Sequence, residues 1–154
     1  MPKPSSAGIL LYRTRAGVLE VFLVHPGGPY WREKDAGAWS IPKGEYTDEE
    51  PLAAAVREFA EETGFTPAGT FLPLTPVRLS SGKSVAAWAC EADWDPSQLK
   101  SNSFSMEWPP RSGRQQSFTE VDRASWFDLD EAKRRITAGQ LPLLTELAGI
   151  AGGR

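Results

Sequence analysis

The sequence predicts an α/β domain, on three observations. Two apolar segments of β type, Ala7 to Tyr12 and Leu19 to His25, flank a short polar connection; a helical pattern runs from Pro51 to Thr63; and further strand-like segments follow that helix. The 154 residues have the length of one domain able to bury a sizeable core. No internal repeat or linker divides them, so residues 1–154 read as one unit.

The connection Arg13-Thr14-Arg15-Ala16-Gly17 makes the first two segments a hairpin. Pro26 to Gly37 is a loop rich in turn formers, and a short strand, Ala38 to Ile41, is predicted after it. Pro51 suits a first helical position, Ala53 to Ala55 are strong helix formers, and Gly64 suits a left-handed helix end. Leu52, Ala55, Val56 and Phe59 share one helical face, expected to lie on the sheet. Strands are predicted at Phe71 to Leu79 and Ser84 to Ala92. Residues 93–119 are the least regular part, a last strand is predicted at Ala124 to Phe127, and helices at Leu129 to Ala138 and Leu141 to Ile150.

Hydrophobic content of 40%, charged content of 24% and a net charge of −3 are those of a soluble globular chain. No basic run offers a nucleic-acid or membrane footprint, so no nucleic-acid partner is expected, and a small anionic ligand would be held by local groups. Cys90 is the single cysteine, which excludes an internal disulfide, and its apolar setting predicts a buried, inert thiol. With His25 the one histidine, no Cys/His zinc site can be assembled. The start of the chain lacks the apolar stretch of a signal peptide, and no run approaches a membrane span, so the expectation is a cytoplasmic protein.

The chemistry points to Arg57-Glu58-Phe59-Ala60-Glu61-Glu62. At helical geometry Glu58, Glu61 and Glu62 fall within an arc of roughly 100°, centred roughly 130° from the apolar face. Like charges spaced three and four residues apart destabilise a helix. At ~4 Å a pair repels by about 1 kcal/mol in water and about 4 kcal/mol at an effective dielectric of 20. A divalent cation turns that repulsion into attraction, and Mg²⁺ takes hard oxygen ligands of this kind. A solvated acidic face is the competing reading, and the pattern around the helix decides against it.

Gly44, Glu49, Arg57-Glu58-Phe59, Glu61-Glu62 and Gly64-Phe65 resemble the Nudix box, complete from Glu49 to Phe65 with its seven-residue gap before Arg57. The box has five residues between its glycine and first glutamate, whereas four separate Gly44 from Glu49; Glu50 would restore that gap and spoil the longer one. The resemblance implies an α/β/α sandwich with a mixed central sheet over nearly the whole chain. It also implies Mg²⁺, with Mn²⁺ as a substitute, on Glu58, Glu61 and Glu62 and on the carbonyl of Gly44. Arg57 would pair with Glu49 and hold the loop to the helix, and Glu58 is a candidate general base.

Many members add an acidic residue from a later loop: Glu120 is the first candidate, Glu107 the competitor, and Asp122 reads as structural. The implied reaction is attack of water on phosphorus in a nucleoside-diphosphate-linked substrate, a nucleoside triphosphate or dinucleoside polyphosphate being favoured; ADP-ribose and diphosphoinositol phosphates stay open. Lys43 either contacts a phosphate or is a solvated lysine. Tyr30, Trp31, Trp39 and Trp108 are candidates to stack a base, Arg111 and Arg114 to close over phosphates, and His25 reads as structural or weakly substrate-facing. A non-catalytic nucleotide-binding or protein-interaction domain on the same fold is the alternative, and the intact glutamates weigh against it. The oligomeric state is open, a homodimer included.

Overall fold

The computed structural model of the chain describes residues 5–152. Residues 1–4, part of the amino-terminal segment read above, lie outside that range, as do 153–154. β1 (Ser5–Arg15) and β2 (Val18–Pro26) form the expected hairpin. They run past the apolar segments because Arg13 to Arg15 continue the pairing to a two-residue turn. Ala16 and Gly17 there both take positive φ, 51° and 80°, the backbone twist that suits a tight hairpin.

β1 organises the sheet. One edge pairs in parallel with β6 (Ser84–Glu91), from Ser5 opposite Ser84 to Tyr12 opposite Glu91. The other edge is shared, antiparallel, by β3 (Lys43–Tyr46) at Ser5 to Gly8 and by β2 at Tyr12 to Arg15. β9 (Val121–Asp128) pairs antiparallel with β2; β4 (Phe71–Pro73) and β5 (Val77–Arg78) pair antiparallel with β6. One parallel pair among antiparallel ones makes the sheet mixed.

Helices cover both faces. α1 (Pro51–Thr63) packs Ala54, Ala55 and Phe59 on Ala7, Ile9, Leu11, Phe22 and Val24. On the other face, α2 (Leu129–Arg135) and α3 (Leu141–Gly152) bring Ala132, Leu143, Leu144 and Leu147 onto Leu10, Tyr12, Val21 and Leu23. Neighbouring residues of β1 thus enter opposite cores, which is why the strand reads as an unbroken apolar run rather than an alternation. Cys90 is fully buried, and burial pushes its thiol up. Among the described residues no helix is long and apolar enough to cross a membrane.

Four sequence expectations are corrected. Ala38 to Ile41 is not a strand: Ser40 and Trp39 make single bridges to Val24 and Ile136, and Pro42, lacking an N–H, interrupts the ladder before β3. Phe71 to Leu79 splits in two because the Thr75 N–H goes to Glu146 on α3 (2.7 Å) and Pro76 has none to give. Residues 93–119 contain a separate hairpin, β7 (Ser103–Glu107) and β8 (Gln115–Thr119). β7 alternates, with Phe104 and Met106 half-buried between exposed neighbours, but β8 half-buries Phe118 alone, so the pair as a whole gives a weak signal from sequence. Finally, α2 stops at Arg135: Ile136 turns extended to bridge Trp39, and a 3₁₀ turn at Ala138–Gln140 follows.

Candidate active site

α1 begins at Pro51 and ends where Gly64, at φ 84°, donates its N–H to Ala60 O (2.8 Å). Its buried face is Ala54, Ala55, Phe59 and Thr63, turned slightly from the predicted stripe, with Leu52 and Val56 at the margin. That anchoring directs Glu58 and Glu62 at β3. A Cβ on Gly44 would overlap the Glu58 carboxyl group, so the strand approaches the helix at a distance only glycine permits. Glu62 accepts the backbone N–H of Lys43.

Arg57 holds the loop before the helix. Its Nε and Nη2 grip Glu49 at 2.6–3.0 Å, and its Nη1 reaches Glu58 (2.9 Å) and Glu61 (2.8 Å). The hydrogen bonds from Arg57 pull Glu49 below the usual carboxylate range, while Glu49 first, then Glu61, raise Arg57. The loop of four residues therefore still delivers Glu49 to Arg57.

Glu120 joins this group from the bend just before β9. Its N–H donates to Asn102 O (2.8 Å), Asn102 N–H donates to Glu61 O (2.9 Å), and Gly27 N–H donates to Glu120 O (2.8 Å). Burial and then the charges of Glu58 and Glu61 push Glu120 up. Burial, then Glu58 and Glu120, push Glu62 up to about 8. Glu58 is raised as well, by burial first and by Glu61 against the pull of Arg57. Lys43 is lowered by burial, with Glu62 acting in the opposite sense. Among the described residues, Arg57 and Lys43 are the cations that act on these carboxylates, and they leave the cluster under-compensated.

Among the described residues no three carboxylates already form a metal-ion shell, since Arg57 spans Glu58 and Glu61. The donor set nevertheless fits a hard divalent cation: every donor is oxygen, and the excess charge is negative.

The other candidates divide. Trp39 is corrected: at 3% exposure it packs edge-on against Phe127 and His25 and donates to Asp35 (2.7 Å), so its ring offers no face to a base. Tyr30 is exposed and meets Trp108 edge-on, and Trp31 is exposed under the Lys34 ammonium. Glu107 spends both oxygens on the Arg111 and Gly113 N–H groups and shapes the β7–β8 turn, which leaves Glu120 as the carboxylate facing α1. Arg111 lies at that exposed turn. Asn102, Gly27 and Ser40 were missed from sequence. The first two act through backbone atoms, for which residue type carries no signal.

Lys43 lines two adjoining cavities. One, about 150 Å³, also holds Glu62, Val24 and Val121; the other, about 600 Å³, includes Trp31, Ser81, Gly139 and Gln140; Pro26 and Ser40 belong to both.

A helix of clustered, under-compensated carboxylates, tied by an arginine to the loop before it and set on a mixed sheet with helices on both faces, defines a class of pyrophosphohydrolases. The chain belongs to the Nudix family: the NUDIX domain model matches residues 2–147. Its class of activity is that of a Nudix pyrophosphohydrolase.

Among solved structures it is similar to a Caenorhabditis elegans Ap4A hydrolase in a binary complex (24% identity, 99% of this chain and 100% of that one, TM-score 0.69). It is also similar to a mutT/nudix family protein from Listeria innocua (16%, 99% and 96%, TM-score 0.66). The NUDIX domain of Shewanella oneidensis NrtR with ADP ribose is a third relative in fold (18%, 98% and 89%, TM-score 0.65). At these identities the likeness speaks for the fold. No curated protein matches the sequence significantly.

Proposed function

We propose that this chain uses Mg²⁺, or Mn²⁺ in its place, to hydrolyse a phosphoanhydride bond in a nucleoside triphosphate or dinucleoside polyphosphate. The observation that carries the reading is the convergence of Glu58, Glu61, Glu62 and Glu120, three of them raised by burial and mutual charge, with Glu62 lining the smaller cavity beside Lys43. Glu58, Glu61 and Glu62 would hold the cation, with the Gly44 carbonyl beside them. When bound, it neutralises phosphate charge and acidifies water in the site.

The residues of the chain supply the rest. Glu58 or Glu120, each shifted toward neutrality, takes the proton of the attacking water. Arg57 keeps Glu58 and Glu61 in place through a planar guanidinium fork that lysine cannot reproduce. Lys43, next to Glu62, meets the phosphate chain. Beyond Lys43 the larger cavity is lined by neutral groups such as Trp31, Ser81 and Gln140, which suits an uncharged nucleoside better than a multiply phosphorylated inositol. The names of the C. elegans and S. oneidensis relatives, an Ap4A hydrolase and a domain with ADP ribose, support an adenosine-phosphate type of ligand.

The test is a product screen with Mg²⁺ and Mn²⁺ over nucleoside triphosphates, dinucleoside polyphosphates, ADP-ribose, nucleotide sugars and diphosphoinositol phosphates, with Glu61→Gln alongside. Cleavage of a nucleotide that the variant loses is the expected result. Cleavage confined to diphosphoinositol phosphates would overturn the substrate class, and silence across the panel would overturn the activity.

A further inference from the structure

His25, the chain's one histidine, is fully buried at the end of β2 and takes no part in the chemistry above. Its Nε2 lies 2.6 Å from the carbonyl oxygen of Lys34, and its Nδ1 lies 2.8 Å from Oδ1 of Asp122. A carbonyl oxygen only accepts, so Nε2–H donates to Lys34, and Nδ1 meets the Asp122 carboxyl group. One bond ends in the loop that carries Trp31, the other in β9. The ring is packed edge-on against Trp39, and the guanidinium of Arg123 lies over the same indole (5.4 Å) and near Asp122 (3.6 Å).

Asp122 occupies a special place in the ladder. His25 pairs with Arg123 and Pro26 with Val121, so Asp122 is the extra residue of a β-bulge. Bulges re-aim side chains and end regular pairing. This one turns Asp122 onto His25 and directs the chain so that Glu120, two residues earlier, faces α1. Gly27 completes the arrangement: a Cβ there would overlap the Thr119 carbonyl oxygen, and its N–H holds Glu120 O.

We propose that His25 is a positioning residue: by bridging the Lys34 carbonyl to Asp122 it fixes the bulge and thereby holds Glu120 against the carboxylates of α1. The catalytic consequence rests on the function proposed above, whereas the bridge itself does not.

The test uses the whole protein and Asp122→Ala, a change at an exposed residue that leaves the core intact. In ¹⁵N spectra of the wild type, the Nε2 proton of the single histidine should exchange slowly. In the variant that proton should exchange rapidly, because the ring has lost its second anchor. The Gly27 and Glu120 amides should exchange about tenfold faster or more while α1 amides keep their rates, as expected of a local opening. With diadenosine tetraphosphate and Mg²⁺, kcat should fall by about tenfold with KM unchanged, the signature of a displaced group rather than lost binding. A rapidly exchanging Nε2 proton in the wild type overturns the bridge, and so do unaltered Gly27 and Glu120 amides in the variant. An unaltered kcat overturns the positioning role. If the wild type cleaves no substrate, the proposed function fails, and the spectra and amide exchange still decide the bridge.

Discussion

α1 and α2 are both charged helices packed on the same sheet, and they treat their carboxylates in opposite ways. On α2, Glu131 is gripped by Arg134 (2.5 Å) and Arg135 (2.6 Å), and Arg135 reaches on to Asp35 (3.0 Å). Asp128 caps the helix through the Glu131 N–H, and Asp130 and Glu131 lie in the first turn, at the positive end of the helix dipole. Arg134, then Arg135, lower Glu131, and Trp39 first among its partners lowers Asp35. On α1, the glutamates lie in the carboxyl-terminal half, at the negative end of the dipole. Glu58 and Glu62 are raised by burial above all, and Arg57 is shared among three carboxylates. Acidity therefore does not distinguish a functional helix from a structural one. What distinguishes it is charge left uncompensated at a cost in stability, which a bound cation would recover.

The largest expected effect is at Glu62. Glu62→Gln should lower hydrolysis by about 10²–10⁴-fold, the range for removing a group from acid–base or metal chemistry, while raising the melting temperature of the metal-free protein. A variant less stable than the wild type would show Glu62 to be an ordinary paired residue and erase the contrast with α2.

Addition of Mg²⁺ comes next. At a hundredfold excess over its dissociation constant a cation contributes about 2.7 kcal/mol, or roughly 5–10 °C in a chain of this length, by scanning calorimetry. The shift should disappear in Glu62→Gln and on chelation, and persist in Glu131→Gln.

Arg57→Lys should cost about tenfold in kcat, because an ammonium cannot hold Glu49, Glu58 and Glu61 at once. Rates equal to the wild type would mean that charge alone suffices there. The smallest effect is expected of Glu131→Gln, with activity unchanged and the melting temperature scarcely moved, as for an exposed ion-pair network. A large loss of activity would extend the functional region to α2.

The site was legible where one helix carried it. Pro51, Gly64 and Phe59 orient α1 by local rules, so the direction of Glu58, Glu61 and Glu62 followed from spacing, while the contact of Glu49 with Arg57 was what the resemblance to the Nudix box implied. Legibility failed where the backbone bends for reasons outside the local pattern. Trp39 looked like a loop aromatic because the return of its segment onto α2, through Asp35 and Ile136, leaves no mark near residue 39. The β7–β8 hairpin was missed because the alternation of Phe104 and Met106 in β7 spans five residues and β8 answers it with Phe118 alone.

By itself, then, the sequence determined the helix and its acidic face, because these depend on residue spacing along one element, while the arginine clamp was what the family resemblance implied. The tertiary structure alone decided which later carboxylate joins them. Glu107 and Glu120 have the same chemistry, and the difference lies in a bulge at Asp122, a buried histidine and three backbone hydrogen bonds around Glu120. Contacts between main-chain atoms distant in sequence are not written in side-chain type, so they become specific when the chain closes on itself.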